Sequence, residues 1–134
     1  MAKFLLALHE TPDAFRHLSP EEIQGVIEKY RSWSAKQREA GRLVGGEKLK
    51  DEGGKHVTQQ KGKLIVTDGP YSESREVIGG FFLIEVADYA AAVELVRDCP
   101  HLEFGRIEIR EVEILPSCPD LALGRGARQE AQAV

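Results

Sequence analysis

Apolar residues on both parities mark the first element of the chain. Between Lys3 and Leu8, Phe4, Leu6 and Leu8 point one way and Leu5 and Ala7 the other. That pattern predicts a central strand covered on both faces. A polar loop is expected from His9 to about Leu18. Ser19-Pro20-Glu21-Glu22 then supplies an N-cap serine, a proline at the first helical position and a glutamate at the third, a capping box. Ile23, Val26, Ile27, Tyr30 and Trp33 follow at helical spacing, with Leu18 and Ile23 at the staple positions and Gly41 placed to stop the helix.

Leu43 to Leu49 reads as a short strand carrying Gly45-Gly46. His56 to Gln60 and Lys63 to Thr67 read as a hairpin around Lys61-Gly62, and Asp68-Gly69-Pro70-Tyr71 ends it with turn chemistry. Val77 to Val86 is a second strand with apolar residues on both faces. Asp88 can cap a helix from Tyr89 to about Asp98, which Pro100 ends. Arg106 to Ile114 is the last strand. Ile107 and Ile109 differ in parity from Val112 and Ile114, so a bulge is expected near Arg110-Glu111.

The order is βαββαβ with an inserted hairpin, the ferredoxin-like α+β pattern built on an antiparallel sheet. Right-handed crossovers put both helices on one face. The other face keeps its apolar residues, and each large one left wet forgoes about 1.5–3 kcal/mol of burial. A second copy packed sheet to sheet, a twofold homodimer, is the predicted remedy. Coverage by the hairpin or the C-terminal tail is the alternative.

Composition narrows the picture. The 134 residues fit one domain, read here as residues 1–115 followed by a tail, 116–134, without clear periodicity. Whether that tail packs on its own subunit or on a partner stays open. Lys+Arg total 18 against 22 Asp+Glu, a net charge of -4, which disfavours direct nucleic-acid binding through a positive field. No apolar run approaches the roughly 20 residues of a membrane span. His9-Glu10 interrupts the apolar start too early for a signal peptide. Cys99 and Cys118 lack metal or redox spacing, so a reduced, cytoplasmic protein is expected. Histidine pairs at metal-ligand spacing, a GxSxG elbow, a P-loop and a dinucleotide fingerprint are all missing, so neither metal nor cofactor is expected.

Thr67-Asp68-Gly69-Pro70-Tyr71, followed by Glu73, Glu76, Gly79-Gly80 and Phe81-Phe82-Leu83-Ile84, resembles the YCII-related family, and within it the DGPF-type branch, with Tyr71 in place of the phenylalanine. Val44 to Leu49, Cys99-Pro100 and Ile107 to Arg110 also look like family positions. The resemblance implies a dimeric α+β barrel of ferredoxin-like halves, a His/Asp pair in a cleft, and an association with extracytoplasmic-function sigma factors.

The candidate chemistry centres on Asp68 and His101. Asp68 ends a predicted strand, where it serves either as a base and orienter or as an Asx-type turn acceptor. His101 follows Cys99-Pro100 beside the last strand and is the first choice for a catalytic histidine, with a capping role as the alternative. Glu73, Arg75 and Glu76 are read as pocket lining or a solvated charged stretch, and Tyr71 as a hydrogen-bond donor to a ligand or a packed ring. His9 lies just past the first strand, where Glu10 can join it. Cys99 reads as a small buried residue. Two functions stay open. One is a cofactor-independent small-molecule enzyme or binding protein using an acid–base pair for proton transfer, elimination or isomerisation. The other is a non-catalytic regulatory module linked to a sigma factor.

Overall fold

The computed structural model describes residues 1–69 and 76–115. The described residues form six strands, two helices and one helical turn: β1 (Ala2–Glu10), α1 (Pro20–Glu39), β2 (Leu43–Lys48), β3 (Lys55–Gln60), β4 (Lys63–Asp68), β5 (Val77–Val86), α2 (Tyr89–Val96), a 3-10 turn (Pro100–Glu103) and β6 (Gly105–Glu111). The main sheet runs β2-β5-β1-β6, with every neighbouring pair antiparallel. Removing the β3–β4 hairpin, which forms its own two-stranded sheet, leaves the βαββαβ order read from the sequence. The architecture is mixed α+β and consistent with a ferredoxin-like domain.

The α1 terminus forms as its residues dictate. Ser19 Oγ accepts from the Glu22 amide at 3.1 Å, and the Glu22 carboxylate accepts from the Ser19 amide at 2.8 Å. Ser19→Ala is expected to cost about 1 kcal/mol by losing one half of this box, read as a lower urea midpoint at unchanged m. Asp88 caps α2 through the Ala91 amide at 2.9 Å.

The core lies between the sheet and the helices. Phe4, Leu6, Ile84 and Val86 meet Trp33 from α1 and Ala92, Leu95 and Val96 from α2, with Leu43 and Cys99 at the margins. Trp33 also donates to Asp98 at 3.0 Å, a bond that holds the Asp98 carboxyl below its ordinary range. On the opposite face, Leu5, Phe81 and Leu83 are half-buried around the buried Ala7. The hairpin also exposes Val57, Leu64 and Val66.

Three sequence expectations change. β1 continues through His9 and Glu10, because β5 pairs with it on one side and β6 on the other, and that double ladder carries the strand past its apolar stretch. α2 stops at Val96, and Pro100 opens the 3-10 turn instead of ending a helix. No bulge occurs near Arg110-Glu111. The register of β6 on β1 is continuous and the strand ends at Glu111; the Val112 amide still donates to the Lys3 carbonyl at 2.8 Å, and Ile114 lies beyond the strand. The tail 116–134 and Cys118 lie outside the described residues.

Candidate functional site

The end of β1 carries most of the chemistry. A register shift opposite Leu8/His9 leaves Gly79 of β5 as the extra residue, a bulge at Gly79-Gly80. Alternation then sends His9 to the face away from the helices and Glu10 to the helix face, with Leu8 and Leu6. The same alternation on β6 puts Arg106, Glu108 and Arg110 on the outer face, while Ile107 and Ile109 pack on the core.

His101 sits on the helix side, 1% exposed. Its Nε2 lies 2.8 Å from the His9 carbonyl oxygen and its Nδ1 2.8 Å from the Tyr30 hydroxyl. A carbonyl only accepts, so Nε2 carries the proton. The neutral ring then offers Nδ1 as an acceptor, and Tyr30 O–H donates to it. Burial pushes the His101 pKa down, which favours this neutral form, and burial also pushes the Tyr30 hydroxyl above its ordinary range. Both nitrogens of His101 are therefore engaged within the chain. The 3-10 turn brings His101 to β1, and Gly105 allows the approach, since a Cβ there would meet the His9 carbonyl oxygen.

On the outer face an alternating row of charges surrounds His9. Its Nε2 lies 2.9 Å from Glu108 Oε1, and its Nδ1 lies 3.9 Å from Glu76 Oε1. Arg106 Nε donates to both Glu76 oxygens, at 2.9 and 3.1 Å, and Arg110 donates to Glu108 Oε2 at 3.2 Å. Glu108 therefore takes Nε2–H, leaving the Nδ1 lone pair as a base, and Glu76 stands too far away to occupy it by a hydrogen bond. The hydrogen bonds from His9 and Arg110 hold the Glu108 carboxyl below its usual range, so it stays ionised. The result is a histidine base oriented by a carboxylate, a common pairing for proton transfer.

Glu10 occupies the opposite face of the same strand end. It is 8% exposed, and its carboxyl lies where a side chain on residue 79 would be, 2.4 Å from an ideal Cβ on Gly79. Desolvation raises its pKa, Lys48 opposes the rise and Asp51 adds to it. Among the described residues no hydrogen bond or ion pair reaches this carboxyl. Taking an ionised carboxylate out of water is costly, and that cost is what pushes the pKa up.

The residues singled out from the sequence fall in different places. Asp68 ends β4 on the hairpin, its side chain 80% exposed and paired with Lys55. His101 is buried against Tyr30 and His9, so Asp68 and His101 have separate partners and share no hydrogen bond. His9 and Glu76 come together, joined by Arg106 and Glu108. Tyr71, Glu73 and Arg75 lie outside the described residues. Sequence reasoning missed Glu108, Arg106 and the Tyr30–His101 bond. Period-two alternation along β6 carried a signal for the first two, whereas Tyr30 and His101 are 71 positions apart and nothing local joins them. Among the described residues no His/Cys/Asp/Glu group could hold a metal ion, and no helix is long and apolar enough to cross a membrane.

The chain resembles proteins of known sequence and structure. It is 29% identical over 99 residues to an uncharacterised protein of Rhizobium meliloti (strain 1021), covering 72% of this chain and 80% of that one. Among solved structures it is similar to 5-chloro-2-hydroxyhydroquinone dehydrochlorinase (TftG) of Burkholderia phenoliruptrix AC1100, in complex with 2,5-dihydroxybenzoquinone. That match has a TM-score of 0.47 at 13% identity and covers 86% of this chain and 97% of the other. The YCII-related domain matches residues 2–115, nearly all of the described fold, and the chain belongs to the YCII-related family.

Proposed function

We propose that this protein is a cofactor-independent small-molecule enzyme whose acid–base pair is His9 and Glu108. The 2.9 Å bond between His9 Nε2 and Glu108 carries the reading, because it fixes the ring with Nδ1 turned out as a base. Nδ1 takes a proton from a small molecule held on the outer face, and Glu108 steadies the imidazolium that forms. Arg106 and Arg110 keep the two carboxylates in place and neutralise their charge. The same ring then returns the proton to another atom or expels a leaving group, so isomerisation and elimination are the reaction classes it serves.

The working particle in this reading is a homodimer closed sheet to sheet into a barrel. Leu5, Ala7, Phe81 and Leu83 form an apolar floor beside His9, and a second copy over it excludes water from the base. Light scattering is expected to give twice the 14.9 kDa of one chain. A monomer at micromolar concentration would remove the barrel from the proposal.

Catalysis is tested without knowing the product. A base that removes a carbon-bound proton exchanges it with solvent, so mixtures of small carbonyl compounds incubated in D2O reveal substrates by loss of proton signals in NMR. Exchange is expected with the wild type and should fall about 10²–10⁴-fold in His9→Gln. Equal exchange by both proteins would refute the assignment.

A further inference from the structure

The β3–β4 hairpin stands apart from the main sheet, its two strands pairing only with each other. Lys61 and Gly62 join them, both with positive φ, 50° and 79°, as a two-residue hairpin turn requires. A two-stranded hairpin by itself is marginal in water and gains stability by packing a face on something. Register puts Lys55, Val57, Gln59, Leu64, Val66 and Asp68 on one face. All six are exposed, Val57 by 58%, Leu64 by 69% and Val66 by 52%. Val57 and Val66 stand directly opposite each other in the middle row, and Leu64 lies one row nearer the tip, so the three form a contiguous apolar patch. Ile65, on the other face, is half-buried. The hairpin therefore turns its more apolar face to water, and such a patch marks a contact surface.

The charges at its two ends say what covers it. At the tip, Lys61 and Lys63 have no ion-pair partner among the described residues, and residues 56–67 contain no acid. At the base, Asp51, Glu52 and Asp68 outnumber Lys50 and Lys55. Six strand residues hold tip and base about 20 Å apart, well beyond the screening length of about 8 Å, so each end presents its own sign. A second copy of this chain offers the complement of both. Two such faces meet about a twofold axis in one of two ways. An axis along the strands sets tip on tip and gathers four lysines, whereas an axis across the strands sets each basic tip on an acidic base. We propose that the hairpin face docks on the same face of a second copy, tip against base. Val57 and Val66 then lie at the axis, and Leu64 lies over Lys55 and Asp68 of the other copy. Three apolar residues a side fall far short of the roughly 800 Å² per partner of a stable interface, so the contact is weak and reversible. It uses neither His9 nor Glu108 and stands independently of the proposed reaction and of the pairing of the main sheets.

The test uses the full chain with labelled valine and leucine methyl groups, followed by NMR from about 20 micromolar to about 1 millimolar, where weak contacts form and dissociate. The Val57, Leu64 and Val66 methyl signals are expected to move with concentration. In a mixture of labelled and unlabelled copies, the Leu64 methyls should show intermolecular NOEs to Lys55 or Asp68 and none to Leu64. Val57→Thr with Val66→Thr keeps β-branched side chains on the strands and removes most of the patch, so the concentration dependence should vanish. Lys61→Asn with Lys63→Glu keeps a residue that tolerates positive φ in the turn and reverses the charge of the tip, so the contact should weaken about tenfold or more. Methyl signals that stay fixed over the whole range would overturn the proposal. So would NOEs from Leu64 to Leu64, or an unchanged affinity in the charge variant. NOEs from the hairpin to Leu5, Phe81 or Leu83 of another copy would give the face a different occupant and overturn it as well.

Discussion

Replacing Phe4 by alanine will lower the stability of the fold by about 3–5 kcal/mol, a large share of the roughly 5–15 kcal/mol typical of a domain. Phe4 is fully buried and sits at the centre of the sheet, opposite Ile84 on one side and Glu111 on the other. Its ring meets Tyr89 edge-on at 4.9 Å. Tyr89 in turn uses its hydroxyl to accept from the Glu111 amide at 2.8 Å, so a cavity at Phe4 also loosens the attachment of β6 to α2. Neighbours from three elements are fixed by backbone ladders and cannot collapse into the gap, which places the cost toward the upper end of the range. Val93→Ala, on the exposed side of α2, is the control and should change stability by no more than about 0.5 kcal/mol. Urea midpoints at one protein concentration would compare the three chains. Holding concentration fixed matters because pairing of subunits shifts apparent stability by mass action. A loss below 1 kcal/mol for Phe4→Ala would mean that the core is not organised around this ring.

The fold was legible where local chemistry and pattern agreed. Ser19 to Glu22 states a helix start in four residues, and the two strands with apolar residues on both faces can only be central. The site was less legible because its parts are assembled by pairing. His9 and Glu10 read as loop, since polarity after an apolar run is the ordinary sign of a strand's end. Only the ladders from Ile78, Val77, Arg106 and Gly105 keep them in the sheet. The turn at Asp68-Gly69 drew attention by its composition, yet the structure gives Asp68 a lysine partner on an exposed hairpin. His101 drew attention as a histidine near a strand, but its depth and its bond to Tyr30 follow from a 3-10 turn of four residues, too short for any periodic signal. The carboxylate that orients His9 was hidden in plain alternation. Arg106, Glu108 and Arg110 alternate with Ile107 and Ile109 along β6, and they come to surround His9 only because β6 lies beside the end of β1.

The second large effect is at His101. His101→Leu will cost about 2–5 kcal/mol, because it leaves the His9 carbonyl and the Tyr30 hydroxyl buried without partners, each worth about 1–3 kcal/mol. Tyr30→Phe removes one donor and strands Nδ1, so it should cost about 1–3 kcal/mol. The double variant strands fewer groups than the sum of the singles, and the cycle should show a coupling of about 1 kcal/mol or more. The pH dependence separates this account from simple loss of volume. The folded-state pKa of His101 is depressed below 6.5, whereas the unfolded chain titrates near 6.5. Below that value the unfolded chain takes up a proton that the folded chain refuses, so the stability linked to His101 is complete above pH 6.5 and falls as pH drops toward the folded pKa, by at most about 1.4 kcal/mol per unit. Glu10 works in the opposite sense, because its raised pKa lets the folded chain hold a proton that the unfolded chain releases. Stability should therefore be measured between pH 8 and pH 5 in a Glu10→Gln background. There the wild-type His101 chain should lose stability on acidification, and His101→Leu should flatten that limb while remaining weaker at pH 8. Parallel curves for the two chains would show that His101 is not held neutral by its place between Tyr30 and β1.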